Sequence, residues 1–184
     1  MKRRKYQGAR PFSQTTKAAQ SRLAGAVLMA LLTAAIPAQA HDKATGVVKE
    51  RMDGMVMLAG SMKAIARQVK SKNPDPDAIA VAAQALRDHA GAAMLEGFPE
   101  DSIDGPSEAR PEIWQDWARF SELAERLALQ GEGLILAAAN PPSGQTPAAV
   151  PHNLKSYAVL PVDELFTLTA KTCAACHQDF RLKK

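Results

Sequence analysis

The chain has 184 residues, with 23 Lys and Arg against 19 Asp and Glu, and only two cysteines. Seven of the bases and none of the acids fall in residues 1–40. Beyond residue 40 the chain holds 16 bases and 19 acids, a net of −3, so the basic balance of the whole is no argument for nucleic-acid binding.

Residues 2–22 carry Lys2, Arg3, Arg4, Lys5, Arg10, Lys17 and Arg22. The apolar run LAGAVLMALLTAAIP follows, from Leu23 to Pro37, and ends at Ala38-Gln39-Ala40. A basic leader, a short apolar core and small residues at the cut describe the signal peptide of an exported bacterial precursor. The run falls short of the roughly 20 residues that a spanning helix needs, which leaves an uncleaved anchor as the lesser alternative. The expected product is cleaved after Ala40, has no stable membrane insertion and resides in the periplasm as one domain, residues 41–184. A domain of that length buries a core without disulfide staples.

Four helical segments are predicted, and no strand. The first runs from about Lys43 to Lys72, where Val48, Met52, Met55, Ala59, Met62, Ala66 and Val69 recur at steps of four and three. Asn73-Pro74-Asp75-Pro76 stops it, because proline lacks the donor that a helix needs. The second segment, about Asp77 to Glu96, is alanine-rich and ends at Gly97-Phe98-Pro99. A loop, EDSIDGPSEARP, leads to a third segment from about Glu112 to Ala139, which carries Ile113, Trp114, Trp117, Phe120, Leu123 and Leu127. Asn140-Pro141-Pro142 ends that segment. Residues 140–161 form a long, Pro-rich connection, with room for a short extra turn, before a fourth helix from about Val162 to Leu182. Helix after helix in this order predicts an all-α fold, an antiparallel up-down-up-down four-helix bundle.

The fourth segment holds Cys173-Ala174-Ala175-Cys176-His177. A C-x-x-C pair serves a redox disulfide, a zinc site or covalent haem. The disulfide reading wants a strand-and-helix context and a helix N-terminus that lowers the thiol pKa. Zinc wants four ligands, and the remaining histidines, His41, His89 and His152, are scattered singly. C-x-x-C-H is the attachment signature of c-type haem. Cysteines three apart project from one face of a helix, where they reach the vinyl groups on one porphyrin edge. His177 follows and offers its imidazole to the iron. Export and haem attachment agree, because such attachment occurs outside the bacterial cytoplasm. One covalent haem c per chain is expected.

The first helix places methionines beside the fourth. Met52, Met55 and Met62 lie on its apolar stripe and Met57 lies off it; spacing alone does not choose among the three. Thioether sulfur ligates haem iron and raises its potential, although a methionine stripe also serves as adaptable core packing.

Three stretches together resemble the cytochrome c prime family, the class II c-type cytochromes. VVKERMDGMVMLAGSMKAIA places Arg51 where the family has an arginine and Met55 at the distal position four residues later. PEIWQDWARF matches the opening of the family's third helix at Trp114 and Phe120. CAACHQDFR matches the haem-binding end, with Arg181 four residues after the histidine. The resemblance spans most of residues 43–183. It implies a four-helix bundle, for which this family is itself a standing example, with haem near the C-terminus.

The resemblance also implies a branch. Members with methionine at the distal position are six-coordinate, low-spin and resemble electron carriers; members without it are five-coordinate and bind nitric oxide or carbon monoxide. It therefore implies His177 and Met55 as iron ligands in a one-electron carrier that serves redox partner proteins. The gas-binding type is the alternative. Family members often pair, so a homodimer is an expectation too. Arg51 and Arg181 are candidate haem contacts, Arg51 through a propionate. Their plainer readings are a solvated arginine on a helix flank and a cation at a helix C-terminus. Trp114, Trp117 and Phe120 are expected in the core, and Asp179 in solvent. No nucleophile–base pair is visible, so no enzymatic reaction is expected.

Overall fold

The computed structural model of the protein describes residues 44–103 and 105–183. The expected signal peptide and its cleavage site at Ala40 lie outside the described residues, as does His41.

Among the described residues the architecture is all-helical: α1 (Gly46–Val69), α2 (Pro76–Asp88), α3 (Ala92–Glu96), α4 (Glu112–Gln115), α5 (Trp117–Leu136), α6 (Leu154–Ala158) and α7 (Val162–Phe180). The four long helices α1, α2, α5 and α7 form the bundle. α2 packs on α1 and on α5, α5 on α7, and α7 returns to α1 through the sparsest contact of the four.

The helix boundaries follow local chemistry. Asp75 caps α2, its carboxylate accepting from the N–H groups of Asp77 and Ala78, and Pro76 takes the first helical position. Two predicted segments are broken. The second divides into α2 and α3 at Gly91, whose φ of 57° suits glycine and whose added Cβ would meet the Ala128 Cβ at 3.0 Å. The third divides into α4 and α5 at Asp116, which leaves the helical region and caps α5 by accepting from the Arg119 N–H at 3.1 Å. Both breaks let a chain end turn against a neighbour, a demand that helical periodicity does not encode.

The connection over residues 140–161 wraps one end of the bundle and contains α6. Asn140 Nδ2 donates to the carbonyls of Ala158 and Leu160, at 3.0 and 2.7 Å. The N–H groups of Ser143 and Gly144 donate to the Asp163 carboxylate, at 2.9 and 2.7 Å. Tyr157 is fully buried against Gly133 of α5. The length of the connection thus serves to plug the bundle end with an aromatic ring.

The core falls into two clusters. One, around Ile65, Ile79, Leu134, Tyr157 and Leu165, fills the end under α6. The other, around Leu58, Leu86, Phe98, Ile113, Phe120 and Phe180, lies at the cysteine-bearing end, with Met55, Met62, Cys173 and Cys176 packed partly against it.

Candidate haem site

On α1 the fully packed positions are Val48, Arg51, Leu58, Ser61 and Ile65. The sequence stripe through Met52, Met55, Ala59 and Met62 runs beside them. It lines a cavity of about 690 Å³, with Met55 and Met62 also packed partly against the core. That volume is in the range of cofactor sites, about 300–1,000 Å³. Met57 does not line the cavity and is 47% exposed.

The same cavity is lined by Cys173, Cys176 and His177 of α7, by Phe120, Leu123 and Leu127 of α5, and by Leu86, Met94 and Phe98. Helical spacing aims Cys173, Cys176 and His177 into one space. α1 supplies thioethers and α7 supplies thiols and an imidazole, so the two kinds of donor come from different helices. His41 aside, the other histidines are engaged elsewhere. His89 Nδ1 lies 2.9 Å from the Ala85 carbonyl, and His152 Nδ1 lies 2.7 Å from the Tyr157 hydroxyl.

Cys173 and Cys176 are not bonded to each other. Burial pushes the Cys173 thiol up. Burial first, then Cys173 and Asp179, push Cys176 up to about 11 against the opposing charge of Arg119. Thiols raised in this way are poor nucleophiles at neutral pH, the reverse of a redox-active pair. Burial lowers the pKa of His177, Arg181 lowers it further and Glu108 opposes them, which favours the neutral imidazole that a metal requires.

Arg51 is not solvated on a flank. It is 7% exposed, and its guanidinium holds the loop after α3. Nε donates to the Gly97 carbonyl at 2.8 Å, Nη2 to the Ser102 carbonyl and hydroxyl at 2.9 and 2.6 Å, and Nη1 to the Ser107 hydroxyl at 3.1 Å. Burial draws its pKa down. Arg51 also borders the cavity, as does Arg181. Arg181 is not a bare helix-end cation, because α7 ends at Phe180 and Arg181 pairs with Glu108. Asp179 is partly covered, 3.9 Å from Arg119. Trp114 is half-buried and donates from Nε1 to the Phe98 carbonyl at 3.2 Å. Phe120 is buried as expected, whereas Trp117 is 39% exposed and touches Phe120 from outside.

Sequence reading missed the loop residues Gly97, Ser102, Ser107 and Glu108. Their composition marks a turn-rich loop, and no local signal says that it folds back on α1 and α7.

The sequence profile of the family described as Cytochrome C′ matches residues 46–181. The chain belongs to the cytochrome c′ family. It is 31% identical over 140 residues to cytochrome c-556 of Agrobacterium tumefaciens (strain II Chrys), an alignment covering 76% of this chain and 99% of that one. Its fold is that of cytochrome c′ from Thermochromatium tepidum, with a TM-score of 0.58 at 22% identity over 74% of this chain and 95% of that one. A cytochrome c′ described as having an unusual ligand-controlled dimer dissociation is similar too, with a TM-score of 0.58 at 17% identity over 74% and 95% of the two chains.

A class II cytochrome carries c-type haem, and the residues here fit the group: a largely apolar cavity, two thiols a helical turn apart, an adjacent imidazole and cationic side chains at the border. The relatives are cytochromes, not enzymes.

Proposed function

We propose that this protein is a periplasmic electron carrier, with haem joined to Cys173 and Cys176 and its iron held between His177 and Met55. Bound haem supplies one iron that alternates between the ferrous and ferric states. The observation that carries the reading is the shared cavity, in which the α1 thioethers face the space that α7 furnishes with thiols and imidazole. Among the three cavity methionines, Met55 lies one turn after Arg51, whose four hydrogen bonds pin that part of α1 to the loop. A ligand on a pinned turn keeps its place in both oxidation states, which limits reorganisation. Val56 borders the cavity and is 55% exposed, so the cavity reaches a surface that a partner protein can approach. The relative called cytochrome c-556 favours this reading over gas binding.

Export rests on the leader and a cut after Ala40; no described helix is long and apolar enough to cross a membrane. The partners implied are redox proteins and a second copy of the chain, the latter by likeness to the solved relative with a dissociating dimer.

The test is the absorption spectrum of purified, matured protein, oxidised and reduced, with and without carbon monoxide. A low-spin spectrum with a near-infrared thioether-to-ferric band, unchanged by carbon monoxide, is expected. A high-spin spectrum that shifts with carbon monoxide would install the gas-binding reading, which the cytochrome c′ fold also accommodates.

A further inference from the structure

Glu108 belongs to none of the three stretches that carry the family likeness, yet it borders the cavity together with His177 and Arg181. Its Oε2 accepts from Arg181 Nε at 2.8 Å and lies 2.7 Å from Arg181 Nη2. Backbone bonds fix both partners. The Leu182 N–H donates to the Glu108 carbonyl at 2.8 Å, and the Arg110 N–H donates to the Phe180 carbonyl at 3.0 Å. These flank an antiparallel bridge between Ala109 and Arg181. The Arg181 N–H donates in turn to the His177 carbonyl at 3.2 Å. An ion pair is thus clamped one helical turn beyond the imidazole.

Stability alone is a weak account of this pair. Its side chains are 46% and 31% exposed for Arg181 and Glu108, and such pairs contribute only about 0–1 kcal/mol. The field that the two charges set up at the cavity wall matters more. Both charges border the cavity that His177 lines, and the Arg181 N–H is bonded to the His177 carbonyl. Groups behind a ligand tune a metal through ligand orientation and local charge.

We infer that Glu108, clamped by Arg181, is a positioning residue for the His177 imidazole and sets the reduction potential. Its carboxylate favours the ferric over the ferrous iron, and Arg181 opposes it. The inference rests on covalent haem and on His177 as a ligand, and holds whichever methionine lies opposite.

The test compares matured holoprotein carrying Glu108→Gln, Arg181→Gln, both together, or Glu108→Asp. The ferrous-to-ferric ratio is read at fixed ambient potential and ionic strength. Glu108→Gln should raise the ratio about three- to tenfold, as expected for a unit charge near the ligand. A tenfold change for one electron equals 59 mV. Arg181→Gln should lower the ratio, and the double variant should lie near wild type. Glu108→Asp should also stay near wild type, even where it loosens the tail. A mere staple predicts otherwise: both single variants would shift the ratio in the same direction along with the melting temperature, or leave it unchanged. Either result, or an Asp variant that behaves like Gln, overturns the inference. The near-infrared band is recorded in parallel. Its absence from wild type counts against Met55 and leaves the opposite-sign test readable.

Discussion

The guanidinium carbon of Arg51 lies 4.2 Å from the centre of the Phe98 ring. This contact and the four hydrogen bonds to Gly97, Ser102 and Ser107 make one side chain of α1 the anchor of the segment that closes the cavity. Phe98 is in turn packed edge-on to Phe120, with centroids 4.7 Å apart, so the anchor is continuous with the cavity floor. Removing a buried charged donor orphans its acceptors. Arg51→Ala is therefore expected to cost about 2–4 kcal/mol of stability in urea unfolding of the holoprotein. Arg51→Lys should recover less than half of that, because one ammonium does not span three loop residues. A loss below about 0.5 kcal/mol in the Ala variant would show that the loop holds itself.

The three cavity methionines separate by substitution. Met55→Ala should turn the iron high-spin, admit carbon monoxide and lower the potential. Met52→Leu and Met62→Leu should keep the low-spin spectrum, since a swap of similar volume costs less than about 1.5 kcal/mol. A high-spin Met52 or Met62 variant beside a low-spin Met55 variant would move the ligand to another turn of α1.

Intact mass after acid denaturation checks attachment and export together. Protein matured in a competent host should weigh as residues 41–184 plus one haem. The Cys173→Ala, Cys176→Ala protein should release any haem into acid acetone. A bare-chain mass in the wild type, from a host that matures other c-type cytochromes, would remove the covalent cofactor.

Gly133 tests the far end of the bundle. A Cβ there would meet the Tyr157 Cβ at 2.6 Å, closer than packed atoms allow, and Leu165 Cδ2 at a tight 3.2 Å. Gly133→Ala should destabilise by about 1–3 kcal/mol, the usual cost of overpacking. Its haem spectrum should stay as in wild type, because Tyr157 belongs to the cluster away from the cysteines. Thermal melts followed by circular dichroism and by haem absorbance give both readings from one sample.

Residue chemistry and spacing that act locally were legible in the sequence alone. CAACH names its cofactor because two thiols and an imidazole at that spacing suit one haem edge. Pro74 and Pro76, and Pro141 with Pro142, marked where helices stop, because a missing N–H acts on its own segment. The methionine stripe located the cavity face of α1. What was not legible depends on partners far along the chain. Gly91 breaks a helix because Ala128 approaches it. Arg51 is an anchor rather than a solvated flank because a loop 46 to 56 residues later delivers its acceptors. Glu108 acquires meaning only when the tail 73 residues away turns back to pair with it. A hydrogen bond or ion pair costs the chain the closing of a loop, and which loops close is decided by the packing of the whole bundle. Tertiary structure therefore decided the surroundings of the site, and local sequence supplied its candidate donors.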